Sequence, residues 1–335
     1  MTSEANPEPA DGQKKRRRHR RPPLGARLVR SRAGFYIAAR LTRGLVRVLQ
    51  WLGPRRSGNL AAGVARLFGP LAAEHRIADA NLAAAFPEMS PADRRHVLAG
   101  VWDNLARTVT EYVHLDSLIA GEIDPATGIG PNLIIKGNEH FFALRDDGKP
   151  GIIFSAHLAN WEILAATAAR YGLGLTALFR PPANMEIAAD LLARRRSLMG
   201  GALVANVQGA SFELAAALER GGHLGLLVDQ RKNHGPLVPF FGRPAPSNTI
   251  VGKLARTFDC PVHGARAIRL KDGKFEIEIT PPLDLPRDAS GRIDVLGATA
   301  AINRVVEGWV REHPEQWLWL HDRWRIVGPG WRPGR

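Results

Sequence analysis

His157 and Glu162, in the stretch FSAHLANWEIL (154–164), are side chains whose types and spacing could support chemistry. Two residues five apart on one continuous helix would lie roughly 140° apart, on different faces. They can meet only if His157 lies in a turn after a strand and Glu162 lies in the first turn of a helix. The apolar run GIIFSA (151–156) and the helical periodicity that starts near Trp161 favour that arrangement.

In such a turn, Glu162 would bind one imidazole nitrogen of His157 and fix its tautomer. The other nitrogen would then be free to take a proton from a hydroxyl group. The structural alternative is that His157 caps the helix and Glu162 favours its positively polarised N-terminus. The spacing alone leaves both interpretations open.

Two other predicted strands also end in polar residues. LTALF (175–179) runs into Arg180, and LGLLVD (224–229) ends at Asp229. Ligands of open α/β sheets gather at the carboxyl ends of the strands. Arg180 could hold an oxyanion or an anionic substrate group, or it could be a surface charge. Asp229 could be a second acid, a hydrogen-bond organiser or a structural residue.

Phe240 and Phe241, before a Gly–Arg–Pro turn, could line an acyl channel or pack in the core. Arg194 belongs to a cluster of three arginines that could meet phosphate or form a solvated helix face. The candidate substrate-binding residues are Asn160, Asn184, Arg194, Gln230, Phe240 and Phe241.

Short apolar runs alternate with helical segments after residue 117. Predicted strands cover 133–136, 151–156, 175–179, 224–229, 261–268 and 274–280. Predicted helices cover about 92–117, 160–171, 184–199, 210–220, 247–258 and 295–312. This alternation predicts an α/β fold with a mixed, mainly parallel central sheet flanked by helices. The last two strands, joined by KDG, predict a hairpin.

The composition removes several enzyme classes. A single cysteine, Cys260, excludes an internal disulfide framework and fits a reducing compartment. The sequence contains no zinc-type Cys/His spacing, HExxH, P-loop or GxSxG motif. We therefore predict no metal ligands.

The positive charge is concentrated at the front of the chain. Residues 1–56 carry 15 Lys and Arg against three acids, whereas the remaining residues carry 31 basic and 29 acidic side chains. Residues 1–23 are predicted to be a disordered tail, because they have almost no apolar content. Their run KKRRRHRR could bind nucleic acid or an anionic membrane leaflet, or it could be a solvated tail or topology signal.

Residues 24–56 predict an amphipathic helix. The longest uncharged run before Arg40 is AGFYIAA, far short of the ~20 residues that span a bilayer. Arg40, Arg43 and Arg47 share one helical face. We expect an interfacial membrane helix, with a surface helix packed on its own domain as the alternative. The predicted domains are the tail 1–23, the anchoring helix 24–56 and a catalytic domain 57–335.

Several motifs of this chain together resemble a known family, over roughly residues 60–326. HLANWE matches the His-x4-Asp/Glu motif of the glycerolipid acyltransferase superfamily. More narrowly, the chain resembles the lipid A late acyltransferases (lauroyl/myristoyl transferases). The motifs are RIADANLAAAFPEMS, SAHLANWE, LFRPPAN, GGHLGLLVDQRKNHGPLVPFFGRPAP and HPEQWLWLHDRW. Their order and spacing are more specific than any one of them.

The sequence departs from the family pattern in two places. Its front helix contains many arginines, and Asp322 stands where relatives often have a basic residue.

The resemblance implies transfer of a fatty acyl group from acyl carrier protein, or acyl-CoA in some relatives, to a hydroxyl of a lipid A precursor. It implies that His157 is the general base and that Glu162 orients it. It also implies that Arg180 stabilises the oxyanion or holds an anionic group and that Asp229 supports the site. No metal or redox cofactor is expected, because a thioester is already activated.

The expected partners are acyl carrier protein, a lipid A precursor and an anionic membrane surface, without nucleic acid. The expected location is the cytoplasmic face of the bacterial inner membrane, with monotopic or single-helix anchoring. One alternative is a related acyltransferase for another glycolipid or a lysophospholipid. A nucleic-acid-binding protein is a weaker alternative, because residues 57–335 carry a net charge of only +2.

Overall fold

The computed structural model describes residues 32–179, 185–207 and 209–325. The predicted tail, residues 1–23, lies outside the described residues.

A seven-stranded sheet forms the centre of the fold, in the order β1-β9-β8-β2-β5-β3-β4. Its strands are parallel except for the antiparallel pair β8 and β9. The mixed, mainly parallel sheet and its hairpin are therefore as predicted. The strands are β1 Leu133–Lys136, β2 Gly151–Ser155, β3 Leu175–Phe179, β4 Leu203–Ala205, β5 His223–Leu227, β8 Val262–Arg269 and β9 Phe275–Ile279. A separate hairpin pairs β6 Leu237–Phe240 with β7 Arg243–Pro246.

Helices flank the sheet. In the described part of the chain they are α1 Arg32–Phe68, α2 Ala73–Ala85, α3 Pro91–Glu111, α4 Leu115–Leu118, α5 Asn138–Asp146, α6 Glu162–Arg170, α7 Met185–Met199, α8 Ala210–Glu219, α9 Ile250–Phe258 and α10 Val295–Glu312. Short 3-10 turns at Gly69–Leu71, Tyr112–His114 and Pro314–Gln316 join some of them.

Strand β2 is buried along its whole length and contributes side chains to the apolar clusters on both faces of the sheet. Successive side chains of a strand point to opposite faces. Accordingly, Ile152 and Phe154 join one apolar cluster, in which Phe154 stacks on Trp309 of α10 at 5.7 Å. Ile153 joins a second cluster with Ile163 of α6. His157 lies two residues beyond the end of this strand, which is buried on both sides.

Strands β4, β6 and β7 were not predicted from the sequence. Strand β4 has three residues, too few for a period to show. The β6–β7 hairpin contains Pro239, Pro244 and Pro246, and proline counts against a strand because it cannot donate to a ladder.

Helix α1 continues across the predicted boundary at residues 56 and 57. It has a kink at Gly53, whose φ is 76°, followed by Pro54. Its second half packs on α3, where Arg66 pairs with Asp103 at 2.9 Å. Within the described ranges, no helix combines the length and apolar character needed to cross a membrane. The division of the chain at residue 56 stays a prediction.

Candidate active site

The ends of β2 and β5 bring His157 and Asp229 together. The two strands are parallel neighbours, and Ser155 is in register with Leu227. Two residues further along each strand direction lie His157 and Asp229. This topology explains how residues 72 positions apart in sequence meet at one edge of the sheet.

Asp229 makes three hydrogen bonds from a buried position. Its Oδ1 lies 2.7 Å from Nδ1 of His157, while its Oδ2 accepts the backbone N–H of His157 at 2.8 Å. The same Oδ2 accepts Nε1–H of Trp317 at 2.8 Å. Burial raises the pKa of this carboxyl, but the charge of His157 and these hydrogen bonds outweigh it and lower the pKa to about 2. Asp229 is therefore ionised at neutral pH.

The ionised carboxylate fixes the tautomer of His157. A carboxylate can only accept hydrogen bonds, so Nδ1 of His157 must carry the proton that joins it to Asp229. In the neutral ring, Nε2 is then an acceptor. The amide Nε2 of Gln230, an exposed side chain, lies 3.2 Å from it, and the ring of Trp161 packs edge-on at 4.7 Å. His157 is thus arranged as a general base.

The turn that holds His157 has a left-handed backbone at Ala159, where φ is 45°. This conformation costs a residue other than glycine on the order of 1 kcal/mol. Two hydrogen bonds hold it: Ala159 N–H donates to Gln316 O at 2.9 Å, and Thr108 Oγ1 donates to Ala159 O at 2.9 Å. The turn therefore depends on α3 and on the C-terminal segment.

Asn160, a predicted substrate-binding residue, is fully buried and has a structural role. Its Oδ1 accepts the backbone N–H of Glu162 at 3.2 Å, and its Nδ2 donates to Glu111 at 3.1 Å. Both oxygens of Glu111 also accept hydrogen bonds from Arg269, at 3.0 and 2.6 Å. The predicted substrate contact of Asn160 is therefore wrong, because its buried amide binds the first residue of α6 and the ion pair of Glu111 and Arg269.

The predicted contact between Glu162 and His157 is also wrong. Asp229 already binds the Nδ1 atom of His157, and Glu162 forms an ion pair with Arg195 of α7. Glu162 and His157 line the same cleft, but the orienting carboxylate comes from the neighbouring strand. Helix α6 begins at Glu162, so the N-terminal stabilisation considered from the sequence remains compatible with its position.

We expect Glu162 and Arg195 to be energetically coupled. The two side chains are 10% and 25% exposed, so removing one partner leaves a poorly hydrated charge. Glu162→Gln and Arg195→Gln should each lower the free energy of unfolding, whereas the double variant should lose less than the sum. A coupling energy of about 1–3 kcal/mol is expected from urea denaturation. Additive losses would contradict this pairing.

Arg194, the predicted substrate contact, binds its own chain instead. Its guanidinium donates to the carbonyls of Tyr112 and Val113 at 3.1 and 2.9 Å, and to Asp116 at 3.0 Å. The neighbouring Arg195 lines the cleft. The cluster of three arginines in the sequence indicated a basic group near the site. It did not show that Arg195, and not Arg194, lines the cleft.

Phe240 and Phe241 do not line the cleft. They are 1% and 6% exposed, and they belong to an aromatic cluster that also includes Phe86, Trp317, Trp319 and Trp324. The acyl-channel interpretation is therefore wrong, and the core interpretation is confirmed. The cluster supports Trp317, the indole donor to Asp229.

Arg180 and Asn184 lie outside the described residues. Strand β3 ends at Phe179, at the same edge of the sheet as His157 and Asp229. The roles of Arg180 and Asn184 stay predictions.

Trp317 and His321 are site residues whose roles the sequence did not predict. The N–H of Leu318 donates to His157 O at 3.1 Å, which ties the Trp-rich segment to the histidine turn. His321 Nε2 accepts the N–H of Arg231 at 3.0 Å. Burial and the charge of Arg231 lower the pKa of His321 to about 4, so its ring is neutral. The cluster of tryptophans and a histidine in HPEQWLWLHDRW was the sequence feature that could have indicated these roles.

A cleft with a volume of about 310 Å³ opens beside the base. Its polar lining residues include Ser155, His157, Trp161, Glu162 and Arg195. Its apolar walls include Ile153, Leu164, Leu175, Leu178, Phe179, Met199, Leu203 and Leu226. In the part of the chain that the structure describes, no group of three or more His, Cys, Asp and Glu side chains could hold a metal ion.

A histidine base that lines an apolar cleft suits a substrate with a long apolar part. The geometry of the site is thus compatible with an enzyme that activates a polar group on such a substrate.

Comparison with known proteins identifies the family. The family model for the bacterial lipid A biosynthesis acyltransferases matches residues 28–326, and the chain belongs to that family. A similar protein is lipid A biosynthesis acyltransferase 2 of Shigella flexneri. The two are 24% identical over 283 residues, which cover 83% of this chain and 86% of the relative. The resemblance found in the sequence motifs is thereby confirmed.

Proposed function

We propose that this acyltransferase moves a fatty acyl chain from an acyl carrier protein thioester to a hydroxyl group of a lipid A precursor. One observation supports this function above all: the acceptor nitrogen of His157 lies beside an apolar cleft in a chain that belongs to a lipid A acyltransferase family. A hydroxyl needs a base, and an acyl chain needs an apolar binding surface.

His157 starts the reaction by taking the hydroxyl proton on Nε2 as the acceptor oxygen attacks the thioester carbonyl carbon. The acceptor hydroxyl replaces the Gln230 amide as the hydrogen-bond partner of His157 Nε2. The carbon–oxygen bond forms and the carbonyl becomes an oxyanion. When this intermediate collapses, the carbon–sulfur bond breaks and the thiolate takes the proton from Nε2. The products are an ester and a free thiol. Asp229 stabilises the imidazolium between the two steps.

Arg180 is our candidate for stabilising the oxyanion. In the sequence it directly follows Phe179, the last residue of β3, and that strand ends at the same edge of the sheet as His157. Arg195 adds a positive charge to the cleft, but Glu162 compensates it.

The test is incubation of the purified protein with acyl carrier protein thioesters and a tetra-acyl lipid A precursor, followed by mass spectrometry. We expect a product heavier than the precursor by one acyl group. Parallel reactions contain acyl-CoA as the donor, or another glycolipid or a lysophospholipid as the acceptor. Transfer to those acceptors alone would favour the alternative function. The absence of any transfer would overturn the proposal.

We further propose that α1 holds the enzyme on the cytoplasmic face of the inner membrane. Ile37, Leu41, Leu45 and Val48, spaced three or four apart, are 53–69% exposed, and Trp51 is 83% exposed. Side chains with this spacing share one helical face. Residues 1–56 carry a net charge of +12, which an anionic leaflet would attract.

The double variant Leu45→Glu, Trp51→Glu is expected to bind anionic vesicles at least tenfold more weakly. Burying each of these side chains in the membrane would otherwise contribute roughly 1.5–3 kcal/mol. Sedimentation with vesicles that contain phosphatidylglycerol measures the loss. The control is Phe212→Glu, which changes a side chain on α8 that is 80% exposed. Equal binding by the double variant and the wild type would contradict a role for α1.

A further inference from the structure

A second cavity, with a volume of about 230 Å³, adjoins the catalytic cleft. The cleft and this second cavity share three lining residues, Ile153 of β2, Leu164 of α6 and Leu175 of β3. Ile153 and Leu175 are 6% and 4% exposed. The two spaces thus lie between α6 and the same face of the sheet, separated by three aliphatic side chains.

The lining of the second cavity is almost entirely apolar. It includes Ile135, Phe141, Phe142, Ala168, Ala265, Ile277 and Ile279. Thr167 Oγ1 is its buried polar atom without a hydrogen-bond partner. Well-packed cores leave few voids larger than a water molecule, so a space of this size next to a catalytic cleft is a candidate binding site.

We propose that the second cavity holds the distal end of the donor's acyl chain, and that Leu164 and Ala168 set the chain length that the enzyme accepts. This inference rests on the proposed acyl transfer. The thioester carbonyl must lie beside Nε2 of His157, so the chain enters the cleft from that end. To reach the second cavity from the cleft, the chain must pass the shared side chains Ile153, Leu164 and Leu175.

Chain-length selection follows from the free energy of methylene burial. A methylene that finds an apolar site is transferred from water favourably, whereas one that meets a filled site must displace packed side chains. One extra or missing methylene in a hydrophobic pocket changes specificity about 10- to 200-fold. Filling the second cavity should therefore affect long chains and spare short ones.

The test measures kcat/KM for saturated acyl carrier protein thioesters whose chains differ in steps of two carbons. Ala168→Leu adds volume to the second cavity without changing a residue that lines the cleft. We expect its kcat/KM to fall about 10- to 100-fold for the longest chain that the wild type uses, and to stay within about twofold for the shortest. Ala215→Leu, on α8 and partly buried, is the matched control.

Leu164→Ala should have the opposite effect, because it removes part of the partition. The optimum is expected to move to chains longer by at least two carbons. The matched control is Leu198→Ala, a partly buried leucine of the same apolar cluster that lines neither space. Because Leu164→Ala only removes atoms, it keeps the proposal testable if Ala168→Leu does not fold.

Thr167→Val tests the chemistry of the chain. Replacing the buried, unpaired hydroxyl with a methyl group should keep or raise kcat/KM for saturated chains, because valine has nearly the shape of threonine and removes an unsatisfied polar atom from the cavity wall. A fall of more than about tenfold would show that the cavity binds a polar chain and would overturn the assignment.

The outcomes separate the two proposals. Wild-type turnover with length profiles that Ala168→Leu and Leu164→Ala leave unchanged would overturn the acyl-chain assignment alone. No wild-type turnover with any thioester would overturn the proposed function and this inference with it.

Discussion

His157→Ala is expected to lower kcat for acyl transfer by about 10²–10⁴-fold while the protein stays folded. The variant removes the acceptor nitrogen that takes the hydroxyl proton. The other groups bound to Asp229 in the described part of the chain cannot replace it, since the backbone N–H of residue 157 and Trp317 Nε1 only donate. The rate of product formation, measured by mass spectrometry with saturating thioester, gives the loss.

Folding and function are separated by two controls. His96→Ala changes an exposed histidine on α3 and should leave kcat unchanged. Circular dichroism and the denaturation midpoint of His157→Ala should stay close to those of the wild type. Near-normal turnover by the folded variant would contradict the proposed role of His157 as the general base.

The alternation of strands and helices made the sheet predictable. β1 and β3 have the predicted bounds, and β2, β8 and β9 differ by one residue at their ends. These segments have strong apolar periods with turn residues between them. The position of His157 at a strand end followed from the same pattern. Where the period was short or contained proline, as in β4 and the β6–β7 hairpin, the sequence carried no comparable signal.

The partner of His157 was not predictable from local spacing. Glu162 is five residues away and Asp229 is 72 residues away, but strand pairing places Asp229 on the imidazole. Which strands are neighbours in a parallel sheet is a long-range property that sequence periodicity does not record. Asp229 was predicted as a possible hydrogen-bond organiser, and its carboxylate indeed binds both the ring and the backbone N–H of His157.

The incorrect predictions for Arg194, Phe240 and Phe241 depended on the direction in which a side chain points. Arg194 and Arg195 are adjacent, and a helix turns by 100° between them, so a small uncertainty in the orientation of α7 exchanges their roles. Phe240 and Phe241 show the same problem for aromatic residues. An apolar ring satisfies a core and an acyl channel equally well, and its tertiary neighbours decide between them.

Asp229→Asn is expected to lower kcat/KM by about 10²–10⁴-fold, although it changes one atom of the side chain. In the wild type, Oδ2 accepts N–H groups from His157 and Trp317. An asparagine must keep its carbonyl oxygen there, because its amide nitrogen cannot accept from two donors. The amide N–H₂ group would then face Nδ1 of His157, forcing the ring proton onto Nε2. The base would be lost while the geometry is preserved.

The dependence on pH gives Asp229→Asn a second signature. The pKa of Asp229, about 2, lies below the unfolded value of roughly 3.9, so its carboxylate adds stability above pH ~4 that is lost as pH falls towards 2. The stability difference between wild type and variant should therefore shrink over that interval, as measured by urea denaturation at each pH. The ¹⁵N chemical shifts of His157 report the tautomer directly. Wild-type shifts in the variant, together with a large loss of kcat/KM, would show that Asp229 acts through its charge and not by fixing the imidazole proton.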